Sequence, residues 1–311
     1  MNRVLQHLGS RYPIVQAPMG WIARSQLASA VCEAGGLGVI ETSSRETENC
    51  KREIARMREL TDRPFGVNLP ILFLQDRDML DHVIEAGVRF VTTSAGNPKK
   101  FIGPLKDAGI VVYHAVPTLK GALKAVEAGV DGLVVEGTEG GGFKNPEEVT
   151  TLVLLQAIRR ECDVPMIAAG GIADGRGMAA AFAAGAEGVQ MGTRFVSAAE
   201  SPVHANYKQA ILAAGDTDTL VLNKQASPCI RALKTENTKR IFEAGLMPPD
   251  TFARVRDLYF KGEMEASVGL AGQSASLIDR VRPVAEIIEE MVAEFWAIGE
   301  EMGARASARS F

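Results

Sequence analysis

Short apolar runs rich in β-branched residues recur along the chain, and each follows a helical stretch that ends in Ala-Gly. A glycine at this point is typical of a helix end, where the backbone turns left-handed. An apolar run without alternation is typical of a strand buried on both faces. The repeat therefore predicts alternating helices and parallel strands. The Ala-Gly pairs are Ala34-Gly35, Ala86-Gly87, Ala108-Gly109, Ala128-Gly129 and Ala184-Gly185.

Eight apolar runs can be counted as strands, five of them after these Ala-Gly pairs, and eight is the number that closes a (β/α)8 barrel. An open, doubly wound sheet has the same alternation, but no early G-x-G-x-x-G motif opens the first unit. We therefore predict an α/β protein with a TIM-barrel fold. The predicted strands are Ile14–Ala17, Leu37–Ile40, Phe65–Asn68, Phe90–Thr93, Val111–Ala115, Leu133–Glu136, Met166–Ala169 and Gly188–Met191.

The pattern changes after the eighth strand. We predict a barrel domain at residues 1–210, a small helical insertion over the barrel mouth at 211–280, and a C-terminal helix returning to the barrel at 281–311. The helices predicted between the strands are Ser25–Ala34 with Ser25 as its N-cap, Glu46–Leu60, Asp76–Ala86, Lys120–Ala128, Pro146–Glu161 and Gly175–Ala184.

Composition narrows the functional classes. The 311 residues are 46 % hydrophobic and 23 % charged, which is ordinary for a globular protein. The net charge of −4 argues against nucleic acid and anionic membranes as partners. No apolar run approaches the ~20 residues of a membrane span, and no secretory signal is visible. The four cysteines form no C-x-x-C pair, so we expect a reduced, cytoplasmic protein without a metal site.

Candidate chemistry follows the strands, because the active sites of such barrels lie at the carboxyl ends of the strands. The first strand leads into a stiff loop, Ala17-Pro18-Met19-Gly20, whose backbone suits a flat ligand. The third strand ends near Asn68, whose amide can both donate and accept hydrogen bonds. Glycines follow strands seven and eight in Ala169-Gly170-Gly171 and Gln190-Met191-Gly192-Thr193, where a barrel is expected to bind phosphate. The loop after strand six, from Glu136 through Gly141 and Gly142, also predicts a backbone close to a ligand.

In these motifs the chain resembles the nitronate monooxygenase (2-nitropropane dioxygenase) family, which includes flavin-dependent enoyl-acyl-carrier-protein reductases. The resemblance implies a non-covalent FMN. Its phosphate is expected on Gly170, Gly171, Gly192 and Thr193, and its ring against the first loop, with Asn68 and Gln190 in reach. Gly272 and Gln273 are expected to close the site. The matching motifs are Pro13–Gly20, Ala34–Gly38, Pro64–Leu69, Glu139–Gly142, Gly170-Gly171, Met191–Phe195 and Ala271–Gln273.

One residue departs from the family pattern. Most members carry a histidine, the proposed proton-transfer group, where this chain has Phe143. A phenyl ring cannot transfer protons. We consider His114, expected to point to the mouth, and Lys144 as catalytic replacements, with Tyr113 facing the other way by strand alternation. Trp21 and Phe143 are expected to line the substrate site.

The leading functional prediction is an FMN-dependent oxidoreductase that oxidises alkyl nitronates with O2. The runner-up is reduction of an activated C=C, such as an enoyl thioester, or of a quinone, with NADH or NADPH as a transient donor. A non-redox phosphate-binding barrel enzyme and a flavoprotein that has lost catalysis are further alternatives. A small-molecule substrate is common to the enzyme readings, and a homodimer is a further expectation.

Overall fold

The barrel strands form where the sequence predicts them. The computed structural model describes residues 2–74 and 77–308. Within them, eight parallel strands belong to one sheet, and a short ninth strand, β7, belongs to another. The strands up to residue 191 are β1 (Ile14–Gln16), β2 (Val39–Ile40), β3 (Gly66–Pro70), β4 (Phe90–Ser94), β5 (Val111–Val116), β6 (Gly132–Glu136), β7 (Gly142–Phe143), β8 (Met166–Ala169) and β9 (Gly188–Met191).

The eight strands lie side by side in the order β1-β9-β8-β6-β5-β4-β3-β2. The barrel closes between β1 and β2 through one parallel bridge, Val15 to Leu37. Beside this bridge, the Gln16 side chain completes the seam. Its amide nitrogen donates to the carbonyl of Val39 at 3.1 Å, and its amide oxygen accepts from the Val39 N–H at 3.4 Å. A side chain therefore replaces a missing pair of backbone ladder bonds.

We expect Gln16→Ala to destabilise the barrel because Gln16 is fully buried and serves both backbone groups of Val39. Each buried polar group left without a partner costs about 1–3 kcal/mol. The free energy of unfolding, measured by urea denaturation, should fall by about 2–4 kcal/mol. Gln156→Ala, at an exposed glutamine of a helix, is the control and should change stability little. Equal stability of the two variants would contradict this view of the seam.

The helices largely follow the predictions. The predicted N-cap Ser25 is instead the first residue of its helix, after Arg24. The helix that contains Pro104 was not predicted, and the predicted helix start at Asp76 lies outside the described residues. In the described chain no helix could cross a membrane. The helices are α1 (Arg3–Leu8), α2 (Ser25–Glu33), α3 (Thr47–Leu60), α4 (Asp78–Glu85), α5 (Lys99–Asp107), α6 (Leu119–Glu127), α7 (Thr151–Glu161), α8 (Gly175–Ala183), α9 (Thr193–Val196), α10 (Ala205–Leu212), α11 (Glu236–Ala244), α12 (Val255–Lys261) and α13 (Val284–Ala308).

Two apolar layers hold the barrel together. The inner layer fills the barrel with alternate strand residues, among them Val15, Phe90 and Tyr113. Val4 and Leu8 of α1 belong to the same cluster, so α1 closes the floor at the amino ends of the strands. The outer layer lies between the strands and the surrounding helices. With the floor filled, the opposite end is left as the place for a ligand.

The segment over the mouth contains a sheet as well as the predicted helices. Strands β10 (Thr219–Leu222) and β11 (Ile230–Leu233) form an antiparallel hairpin. Strand β11 also pairs with β7, so that Ile230 lies opposite Phe143, and the Lys144 N–H donates to the carbonyl of Cys229 at 2.8 Å. The insertion therefore holds the loop after β6 in place. The purely helical description of this segment is corrected accordingly.

Candidate active site

Four polar or small side chains at the carboxyl ends of the strands face the barrel interior. Ala169 belongs to the inner apolar layer. Gln190 pairs with the inner-layer residue Val15, and Glu136 lies two residues beyond the inner-layer residue Val134. Asn68 pairs with Thr92, two residues beyond the inner-layer residue Phe90. The two-residue period of a strand therefore brings predicted site residues from four separate strands to one mouth.

The glycines after β8 and β9 form a cradle at this mouth. Gly170 and Gly171 have φ of +96° and +76°, which L side chains rarely adopt. A side chain on Gly192 would point toward Ala17 and Met19 of the first loop, 3.6 Å away. The Thr193 hydroxyl oxygen accepts from the Gly272 N–H at 2.9 Å, which leaves its own hydrogen available to an anion. These groups fit a phosphate ester.

Gln190 supplies a second observation that fits FMN. Only 9 % of this residue is exposed. Its side-chain oxygen is buried and has no hydrogen-bond partner among the described residues. A buried acceptor without a donor is costly, so this oxygen is matched to a ligand N–H. The imide edge of a flavin offers such a group, and the residues present therefore fit FMN.

The first loop is fixed from both sides. The Ala17 N–H donates to the carbonyl of Met191 at 2.9 Å, whereas the Met191 side chain lies in the outer apolar layer. Trp21 has φ of +63°, and its N–H donates to the buried Glu41 carboxylate at 3.1 Å. Arg24 holds that carboxylate at 2.8 Å. These contacts fix the loop that carries Pro18, Met19 and Gly20. The Trp21 side chain packs against the outer apolar layer.

Asn68 is buried beside Thr92. Its amide nitrogen donates to the Thr92 hydroxyl at 2.9 Å and lies 3.4 Å from the Ser94 hydroxyl. The donor side of this amide is therefore occupied by the protein. Sequence reasoning did not identify Thr92, although its position on the neighbouring strand follows from the parallel register.

Glu136, the last residue of β6, forms an ion pair with Lys144, which directly follows β7. Only 3 % of the Lys144 side chain is exposed, against 31 % for Glu136. A Cβ on Gly140 would lie 2.9 Å from Oε1 of Glu136 and 2.9 Å from Nζ of Lys144. Gly140 itself lies next to Gly170. The pair therefore lies beside the glycine cradle, and the absence of a side chain at Gly140 makes room for it.

The apolar rim of the mouth contains Phe143 and Phe73. Phe143 is 49 % exposed, and its ring centroid lies 6.0 Å from that of Phe73. Phe73 belongs to a 3₁₀ turn, Ile71–Phe73, that follows β3. The sequence predicts Phe143 as a substrate-lining residue, and it gives no motif that would point to Phe73.

The loop after β6 also meets the end of the insertion. A Cβ on Gly141 would lie 2.6 Å from the backbone of Ala271, so the two segments touch. The Gln273 N–H donates to the carbonyl of Glu139 at 2.9 Å, while its side chain is exposed. Gly142 has φ of +79° at the point where β7 begins. Gly272 and Gln273 thus lie next to the predicted site.

His114 and Tyr113 have the opposite orientations to those expected. Tyr113 belongs to the inner layer, near the floor, where its hydroxyl lies 3.0 Å from Nδ1 of His7. His114 lies on the same face of β5 as Val112 and Val116, which pack in the outer layer. Its Nδ1 lies 2.8 Å from the Thr93 hydroxyl. His114 therefore points toward the helices, and we assign it no proton transfer at the mouth.

His114 is expected to make stability depend on pH. Burial lowers the pKa of His114 to about 4, so the unfolded chain binds the extra proton first on acidification. The contribution of neutral, buried His114 to the free energy of unfolding is complete above about pH 6.5. It is lost progressively as the pH falls toward 4, by up to about 3 kcal/mol. In urea unfolding at pH 7.5 and 4.5, His114→Gln should be less sensitive to acid than the wild type. Parallel loss of stability in both proteins would contradict this assignment.

Among residues 2–74 and 77–308, no three His, Cys, Asp or Glu side chains converge as a metal site would require.

Comparisons with known proteins agree with this architecture. The family model for nitronate monooxygenase matches residues 2–83 and 72–294. The structure is similar to that of FabK from Thermotoga maritima, at 40 % identity and a TM-score of 0.93, covering 98 % of this chain and 99 % of that one. It is also similar to nitroalkane oxidase from Streptomyces ansochromogenes, at 27 % identity and a TM-score of 0.86, covering 96 % and 99 %.

A curated relative from Rhodococcus jostii is named (3aS,4S,5R,7aS)-5-hydroxy-7a-methyl-1-oxo-octahydro-1H-indene-4-carboxyl-CoA dehydrogenase. It is 37 % identical over 240 residues, which cover 77 % of this chain and 67 % of that protein. Together, the fold and the matches define a TIM-barrel oxidoreductase. The chain belongs to the nitronate monooxygenase family, which is flavin-dependent in general.

Proposed function

We propose that the chain is an FMN-dependent oxidoreductase that reduces an activated C=C of an acyl thioester, with NADH or NADPH as the electron donor. The observation that carries the proposal is the apolar rim formed by Phe143 and Phe73. Most of the family has a histidine at the position of Phe143. An exposed aromatic rim suits an acyl chain better than a small polar nitronate. The resemblance to enoyl-acyl-carrier-protein reductases and the relative named as a carboxyl-CoA dehydrogenase support it.

Each group at the mouth has a role in this proposal. FMN, when bound, supplies two-electron transfer from a nicotinamide to the substrate carbon. Gly170, Gly171 and Thr193 would hold its phosphate, and the Gln190 oxygen would accept a hydrogen bond from its ring. Lys144 carries a proton at Nζ, held by Glu136, for the carbon next to the thioester carbonyl. That proton would complete the saturation of the C=C at this carbon.

The test is anaerobic reduction of the bound flavin, followed by addition of an acceptor. We expect NADH or NADPH to bleach the flavin absorbance and an enoyl thioester to restore it. A flavin that is reduced by a nicotinamide but never reoxidised by enoyl thioesters would contradict the proposal. A protein that contains no flavin and binds none would point instead to a non-redox barrel enzyme.

Nitronate oxidation with O2 is the second candidate, favoured by the match to the family model. A nitronate is already an anion, so its oxidation requires no base in place of Phe143. In the same experiment, bleaching by propionate 3-nitronate alone, without any response to enoyl thioesters, would select this function.

Phe143→His tests the argument about the missing base. The variant restores the proton-transfer group that most of the family has at this position, on a side chain that is already at the mouth. Turnover of a neutral nitroalkane should rise by about 10-fold or more, a modest share of the roughly 100- to 10,000-fold that general acid–base catalysis contributes. Turnover of the preformed nitronate should change little and is the internal control. No gain with the neutral nitroalkane would contradict the argument.

A further inference from the structure

A second concave surface, which we call the arginine cleft, lies beside the barrel mouth. The cleft has a volume of about 550 Å³ and is lined by Arg45, Arg52, Arg256 and the first turn of α3. Arg45 connects it to the mouth, because its guanidinium carbon lies 4.9 Å from the Phe73 ring centroid. Phe73 in turn contacts Phe143. An extended ligand at the rim can therefore reach the cleft along a continuous surface.

The carboxylates of the cleft are already paired with cations. Glu46 accepts from Arg256 at 2.6 Å and from Arg24 at 3.0 Å. Glu48 pairs with Lys51 at 3.2 Å.

The positive charges of Arg45 and Arg52 are, by contrast, not matched by acidic side chains. Within the described ranges, neither guanidinium forms an ion pair with a carboxylate; Arg52 donates only to the Asn49 side chain, at 3.3 Å. Two unmatched guanidinium groups in one concave surface favour an anion, and their planar donors suit phosphoryl oxygens.

The first turn of α3 adds backbone donors to the same cleft. Its N-cap, Glu46, makes no side-chain capping hydrogen bond. The first N–H groups of a helix have no partner inside the helix, and they favour negative charge. The arginines and this turn therefore line the same concave surface.

We propose that the arginine cleft binds the phosphorylated adenosine end of a soluble ligand whose other end reaches the barrel mouth. Two ligands share this chemistry: a coenzyme A thioester, with a 3′-phosphate and a diphosphate, and NADPH, with a 2′-phosphate and a diphosphate. This inference rests on the proposed function. In that function the mouth holds the reacting end of the thioester or of NADPH, and the cleft holds its adenosine end.

Binding of two probes to the holoenzyme tests the cleft without turnover. The probes are adenosine 3′,5′-bisphosphate and adenosine 2′,5′-bisphosphate, measured by isothermal titration calorimetry. Arg52→Gln removes one charge, and Arg45→Asn removes the other with a residue that tolerates the positive φ of +61° at this position. Arg305→Gln, at an exposed arginine near the end of α13, is the matched control.

We expect at least one probe to bind, and each cleft variant to weaken that binding by about 10-fold or more, while the control leaves it unchanged. Tighter binding of the 3′,5′ isomer assigns the cleft to coenzyme A thioesters, and tighter binding of the 2′,5′ isomer assigns it to NADPH. Absence of binding by both probes would overturn the proposal, as would equal weakening by Arg305→Gln. If the protein binds the probes but does not reduce enoyl thioesters, the proposed function is rejected and the proposal for the arginine cleft is not.

Discussion

Gly170→Val is expected to yield a folded protein that is purified without flavin. Gly170 has φ of +96°, and its Cβ would lie 3.0 Å from the backbone nitrogen of Gly140 and 3.1 Å from the carbonyl oxygen of Gly137. A strained backbone of this kind costs about 1–3 kcal/mol, and the loop must move to admit the side chain. Because that loop is part of the phosphate cradle, the Kd for FMN should rise by about 100-fold or more.

Gly109→Val separates backbone strain from loss of the cradle. Gly109 has φ of +73°, but a Cβ there meets no atom within 4 Å, and the residue precedes β5 at the amino ends of the strands. This control should lose stability to a similar degree and still bind FMN. Equal loss of FMN from both variants would mean that the effect comes from the fold and not from the cradle.

Lys144→Met is expected to reduce kcat for thioester reduction by about 100-fold, the scale of a lost general acid. Reduction of the flavin by the nicotinamide should persist, because that step needs no proton from Lys144. The variant leaves Glu136 without its partner, so the double variant Lys144→Met/Glu136→Gln should recover stability without recovering turnover.

The Lys224–Glu148 ion pair provides a matched control for this prediction. Lys224 is 46 % exposed and lies in the insertion. Its partner, Glu148, lies between β7 and α7. Lys224→Met should leave the rate of thioester reduction close to that of the wild type. Normal turnover by Lys144→Met would contradict the role that we propose for Lys144.

The barrel could be predicted from the chain because its signals are local. Each Ala-Gly pair marks a helix end, and the apolar run that follows can be identified as a strand from its own residues alone. The closing seam is different. Beside the Val15–Leu37 bridge, it depends on Gln16 and Val39, two residues whose contact follows from the curvature of the finished barrel and from no pattern in the sequence.

The remaining differences also have physical reasons. Alternation along β5 predicts that His114 and Tyr113 face opposite sides, but not which side each faces. That choice is made by the inner layer, where Tyr113 packs against Phe90. The pairing of β11 with β7 joins segments that are far apart along the chain, and Arg45 meets Phe73 for the same reason. Such non-local contacts leave no periodic signal in the sequence.

The central claim is that the glycines after β8 and β9 hold the phosphate of a flavin. The most direct measurement compares FMN with riboflavin, which lacks the phosphate, in equilibrium titrations of the flavin-free protein. We predict one FMN bound per chain and riboflavin at least about 100-fold weaker, since the cradle and Thr193 act on the phosphate alone. Equal affinity for the two flavins, or no affinity for either, would contradict the account.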